Sequence, residues 1–172
     1  MIYIKKTLSL LHIYFFIKMI FNETQSDNNQ NSISPDSIEI TLVFTDNELD
    51  KNEISNLLDC NPTNSWNANE ILEIGNARKL KVAESGKWYL KHNAITSQID
   101  QGIIDLLNQL SKNLDNWKVV TNKYKGHIEI TAYQHLWNHN YFINSTILKE
   151  LASRNLSLIF DIYNINVYEV EQ

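Results

Sequence analysis

The tetrapeptide Ile-Glu-Ile-Thr occurs twice, as Ile38-Glu39-Ile40-Thr41 and as Ile128-Glu129-Ile130-Thr131, and each copy opens an alternating strand that a capped helix follows. Alternation arises because side chains on a pleated strand point to opposite faces. Capping arises because the first amides of a helix lack partners within it. Two patterns with separate causes, recurring together in the same order, point to two similar halves sharing one sheet. The expected fold class is therefore α+β: a single domain with a mainly antiparallel sheet, helices packed on one face, and two pseudo-repeated β-α-β halves in a ferredoxin-like arrangement. One segment resists this scheme. Residues 93–125 insert one or two helices where a tight hairpin would normally join the halves.

The strand pattern at Ile38, Ile40, Leu42 and Phe44 is followed by Asp50 as an N-cap, with Glu53 three residues later and Leu49 placed to contact Ile54. This combines a capping box with a hydrophobic staple. Asn61-Pro62 ends that helix and leads into an irregular connection as far as about Ser85, in which Trp66 is expected to fold back on the core. Trp88 and Leu90 alternate with Lys87, Tyr89 and Lys91 in a second strand. Ser97 and Asp100 resemble another capping box, ahead of an amphipathic helix bearing Ile99, Ile103, Leu106, Leu107 and Leu110. Leu114 to Val120 suits a short helix anchored by Trp117. In the second copy Asn144 caps a helix that Asn155 can stop in a left-handed conformation, and a last strand directs Leu156, Leu158, Phe160 and Ile162 to the core. Asp161 and Tyr163 then take the other face.

With 172 residues, 43% of them hydrophobic and 20% charged, the chain has material for one well-buried core. Its expected division is an apolar segment and disordered polar leader over 1–36, a single α+β domain over 37–168, and a tail over 169–172. The first segment admits three readings. It can be an extension ahead of a start at Met19, a weak export signal, or a membrane-associating segment through residues 1–21. The apolar run, interrupted by Lys18, is short of the roughly 20 residues needed to cross a bilayer, so the cytoplasm is the preferred location, with export or membrane association through residues 1–21 as the alternative.

The net charge is -5, and because Lys5, Lys6 and Lys18 precede Met19 with no acidic residue beside them, residues 19–172 carry -8. Such a body repels phosphate and suits a basic partner better than nucleic acid. Cys60 is the single cysteine, which excludes an intramolecular disulfide framework and a multi-cysteine metal site. No glycine pattern of the phosphate-cradling kind occurs.

Few residues invite a chemical reading. His135 and His139 have the i, i+4 spacing of two metal ligands on a helix, but Leu136 stands where a zinc protease needs Glu, and the neighbouring Asn138 and Asn140 favour a polar loop. Asp161 could act as an acid or base if its sheet face formed a cleft shared with Tyr163 and Glu129; otherwise it is an outward strand residue bonded to a neighbouring strand or to the Pro62-Thr63 turn. Trp137, in the polar loop with Tyr133, His135, His139 and Tyr141, is compatible with either burial or protein contact. No catalytic residue, metal or cofactor is assigned.

The block Leu49 to Trp66, with Ile54-Ser55, Leu57-Leu58, Pro62-Thr63 and Trp66, joins Gly86-Lys87-Trp88-Tyr89-Leu90 and the closing Phe160-Asp161-Ile162-Tyr163 in an order that resembles the bacterial domain-of-unknown-function 4279 family over roughly residues 38–164. Lys51 departs from a usual Asp-Pro helix start, and Asp59 replaces the Gly that often ends that helix. The resemblance marks Pro62, Thr63, Trp66, Trp88, Asp161 and Tyr163 as motif positions, and it implies no established activity. The functional expectation is a small non-enzymatic module that binds another protein, of the immunity or accessory type, with the product of an adjacent gene as the natural candidate. The alternative is a small-molecule-binding domain or hydrolase using the sheet face around Asp161.

Overall fold

The computed structural model describes residues 37–164, apart from 76–77, 93–97 and 135–139. The expectations for the leader, for Ser97, for the start at Met19 and for the C-terminal tail lie outside these residues. The order is β1 (Ser37–Asp46), α1 (Lys51–Leu58), β2 (Asn64–Trp66), β3 (Ile71–Ile74), β4 (Lys79–Val82), β5 (Gly86–Lys91), α2 (Ile99–Leu107), α3 (Leu114–Lys123), β6 (Lys125–Gln134), α4 (Ser145–Ser153) and β7 (Ser157–Asn164). A five-stranded sheet runs β2-β5-β1-β6-β7, and β3 pairs with β4 in a separate hairpin. All pairings are antiparallel except β6 with β7. The protein is thus α+β, with a mainly antiparallel sheet.

The repeated tetrapeptides lie side by side. Ile40 faces Ile130, Glu39 faces Thr131 and Thr41 faces Glu129 across the central antiparallel pair. The ferredoxin-like pair of halves is nevertheless not reproduced. In a split β-α-β unit, a strand of the other half separates the two strands of each half. Here β5 sits directly beside β1, and β7 directly beside β6. The two halves also return differently: α4 carries the chain across to a parallel neighbour, whereas the longer path through β2 and the hairpin brings β5 back antiparallel.

One sheet face is dry. Ile38, Ile40, Leu42 and Phe44 of β1, Trp88 and Leu90 of β5, and Ile128, Ile130 and Ala132 of β6 are buried together with Ile54 and Leu58 of α1, Ile103 and Leu106 of α2, Trp117 and Val120 of α3, and Ile147 and Leu151 of α4. The alternation read in each strand is therefore the division between a helix-covered face and an open one. Trp88 and Trp117 are fully buried, and each indole N–H is satisfied: Trp88 donates to Ser55 Oγ at 3.0 Å and Trp117 to the Ser111 carbonyl at 2.8 Å.

Local signals account for the helix ends. Asp50 caps α1 by accepting from the Asn52 and Glu53 amides, and Asn144 caps α4 by accepting from Thr146. Asp59 takes the left-handed position after α1 at φ 53°, where glycine was absent, and Asn155 does the same after α4. Gln98 takes the N-cap position of α2 without a side-chain cap bond, and Asp100 is turned to another use, accepting the Asn144 amide at 3.2 Å and so tying α2 to the start of α4.

Two expectations need correction. The connection from Thr63 to Ser85 is not irregular: it contains edge strand β2 and the β3–β4 hairpin. The hairpin signal was present in Gly75-Asn76 between two short apolar-containing runs. In β7 the expected core residues Phe160 and Ile162 are 38% and 46% exposed. They point to the helix side, in register with Ile130 and Ala132, but β7 is the last strand of the sheet, so among the described residues no further strand flanks them.

Candidate functional site

The open sheet face presents Thr41 and Thr45 of β1, Lys87, Tyr89 and Lys91 of β5, and His127, Glu129, Thr131 and Tyr133 of β6, since these residues alternate with the buried ones; Val43, on the same face of β1, is covered by its neighbours and only 2% exposed. Strand pairing places the motif residues on this frame, and it divides them.

At one edge, Thr63 joins β2 to β5. Its amide donates to the Tyr89 carbonyl at 2.8 Å, and its Oγ1 accepts the Lys91 amide at 2.9 Å. Pro62, with no amide to satisfy, introduces this junction. Trp66 lies opposite Lys87 and so on the open face, half-buried, with its ring 6.2 Å from that of Tyr89 in an edge-to-face contact. It does not fold back on the core, because its register puts it on the side opposite Trp88. The motif therefore splits locally: Trp88 is a core residue, while Trp66 faces outward.

At the other edge, Asp161 lies opposite Thr131 and Tyr163 opposite Tyr133, also on the open face. The Tyr163 hydroxyl donates to Asp161 Oδ2 at 2.8 Å, and the Tyr133 and Tyr163 rings stack at 5.4 Å. The hydrogen bond to Asp161, then the charge of that carboxylate, pushes the Tyr163 phenol up from its ordinary value. Glu129 lies on the same face, 3.8 Å from His127 Nε2. Burial holds the His127 imidazole below its ordinary value, against the pull of Glu129. Tyr141 donates to Gln134 Oε1 at 2.7 Å and packs its ring 5.5 Å from Phe160. His135, Trp137 and His139 lie outside the described residues.

Four strand spacings, about 19 Å, separate the two groups. Asp161 thus does not meet the Pro62-Thr63 turn, and the motif positions do not form one site. Asp161, Tyr163 and Glu129 lie on one face, and Tyr133, read from the sequence as part of the polar loop, is instead a residue of β6 that stacks on Tyr163. Among the described residues, no group of three or more His, Cys, Asp or Glu is placed to hold a metal ion, and no helix is long and apolar enough to cross a membrane.

Two apolar surfaces have no counterpart in the sequence pattern. On β7, Ile159, Phe160, Ile162 and Tyr163 are between 38% and 46% exposed, on both faces of the strand. On the hairpin, Ile71, Leu80 and Val82 are more exposed still. Alternation distinguishes the two faces of a strand, but not an edge strand from a central one, so exposure on both faces carried no signal.

A family described as a domain of unknown function (DUF4279) matches residues 36–165. No curated protein and no solved structure matches the chain.

Proposed function

The chain belongs to the DUF4279 family, and we propose that it is a cytoplasmic, non-enzymatic protein-binding module of the immunity or accessory kind, which receives a strand of a partner protein along the outer edge of β7. The observation that carries this reading is the character of that edge. Among the described residues β7 pairs only with β6, so alternate amides and carbonyls along its eight residues face outward. Edge strands are usually blunted by Lys, Pro or a bulge. Ser157–Asn164 contains no Lys and no Pro, and its single charge is Asp161. An added strand would gain main-chain hydrogen bonds, while its side chains cover Phe160 and Ile162 on one face and Ile159 and Tyr163 on the other. The charge of -5 over the chain favours a basic partner whose association weakens as salt rises.

The test is co-expression with the products of the adjacent genes, followed by size-exclusion chromatography at low and high salt. A stoichiometric complex is expected, and Ile162→Lys should abolish it while leaving the melting temperature near that of the parent. Repeated isolation of the chain alone, or a complex indifferent to Ile162→Lys, contradicts the proposal.

The second reading, a small-molecule-binding domain or hydrolase, draws its support from the Asp161–Tyr163 hydrogen bond beside the stacked Tyr133. The two readings separate cleanly, because Asp161 and Ile162 point to opposite faces. Loss of function in Asp161→Asn with Ile162→Lys unaffected would favour the second.

A further inference from the structure

At the edge opposite β7, a cleft of about 750 Å³ lies between the sheet and the β3–β4 hairpin. Trp66 of β2 and Tyr89 of β5 line it from the sheet, Leu72 and Ala83 from the hairpin, and Asn64 and Ser85 add an amide and a hydroxyl. We propose that this cleft binds a small, uncharged, flat aromatic molecule, a function separate from the protein-binding edge and independent of it.

The volume lies within the range of small-molecule sites and is ample for a ring system, so the aromatic walls rather than the size of the cleft set the class of ligand. Aromatic walls favour a flat partner, because stacked and edge-on ring contacts add to the gain from burying apolar area. The walls are already set. Trp66 and Tyr89 meet edge to face at 77°, and Lys87 Nζ lies 5.5 Å from the Tyr89 ring and 6.0 Å from the Trp66 ring, so ring and cation contacts fix both side chains without a ligand.

Charge at the cleft argues for a neutral ligand. Lys81 and Glu84 pair with each other at 3.7 Å, while Glu73 also lines the cleft and the Lys87 ammonium stands over the Tyr89 and Trp66 rings. Either sign of ligand charge therefore meets a like charge as well as an opposite one. The hairpin is fixed at its base rather than along its length. The Asn69 amide donates to the Ala83 carbonyl at 2.8 Å, the Ala83 amide to the Glu70 carbonyl at 2.9 Å, and Lys51 of α1 holds the Glu70 carboxylate at 2.9 Å. The departure at Lys51 from the usual helix start thus has a structural use: it anchors one side of the cleft.

Titration of the isotope-labelled chain with indole, followed by amide chemical shifts, tests the proposal. Saturable shifts are expected at Ala83, Ser85 and Tyr89, with a Kd of about 1 mM or tighter. Trp66→Ala should weaken binding about tenfold, and Trp66→Phe, which keeps a ring, by no more than about threefold. The Trp88 indole signal, in the core, reports that each variant is folded. Absence of saturable shifts, shifts that map elsewhere, equal weakening by both folded variants, or cyclohexanol binding as tightly as indole would each overturn it.

Discussion

The Tyr124 hydroxyl donates to the Glu53 carboxylate and accepts the Asp50 amide at 3.2 Å, so a residue at the end of α3 completes the cap at the start of α1. In a capping box the N3 glutamate would itself return to the N-cap amide. Here Tyr124 is interposed, and Glu53 is freed to take Lys123 as well, at 2.6 Å. Tyr124→Phe leaves the Asp50 amide and the Glu53 carboxylate without that partner in a part-buried setting. The expected loss is about 2 kcal/mol in urea denaturation, and a change below about 0.5 kcal/mol would show that water replaces the hydroxyl.

Two carboxylates make stability sensitive to acid. Glu53 is held below the ordinary value of 4.5 by its hydrogen bonds from Lys123 and then Tyr124, and Glu70 by those from Lys51 and then the Asn67 amide. A depressed folded-state value means that the unfolded chain takes up protons first as pH falls. The contribution is therefore present above 4.5 and lost as pH drops through the folded values. Denaturation midpoints should hold between about pH 7 and 5 and then decline, and Glu53→Gln should flatten part of that decline. An equally steep decline in the variant would remove Glu53 from the account.

Asp59 occupies a left-handed position at φ 53° and places a negative charge at the negative end of α1. Asp59→Gly relieves both and is expected to stabilise the protein by about 0.5–1 kcal/mol, read as a raised melting temperature. A lowered melting temperature would mean that the Asp59 side chain makes a compensating contact.

Gly126 is the second residue of β6, where a Cβ would lie 2.6 Å from Phe44 Cε1 and 2.8 Å from Leu156 Cδ2. Both neighbours are packed in the core, so Gly126→Ala should cost about 1–3 kcal/mol in urea denaturation. A neutral result would show that the Phe44 ring can shift.

Much of the architecture was legible because it follows from local physics. Ile38 to Phe44 and Ile128 to Ala132 alternate, and Asp50, Asn144 and Asn155 carry cap and stop chemistry that needs no tertiary context. The pairing of Ile40 with Ile130 was not legible, since local pattern does not say which strands become neighbours. Burial at Phe160 and Ile162 failed for the same reason: the alternation is correct, but the strand's place at the sheet edge decides exposure. Trp66 lies off the core because its register opposite Lys87, and not its apolar bulk, sets the face it takes. For the site, residue types were legible at Asp161 and Tyr163, whereas their distance from Thr63 depends on the strand order.

The central claim is that a partner adds a strand to β7. Amide hydrogen exchange over residues 157–164, with and without the protein that copurifies with the chain, tests it most directly. Addition of a strand protects alternate β7 amides and leaves the Trp66 edge unchanged. Protection confined to the hairpin or to the β2–β5 edge, with β7 exchanging as in the free chain, would contradict the account.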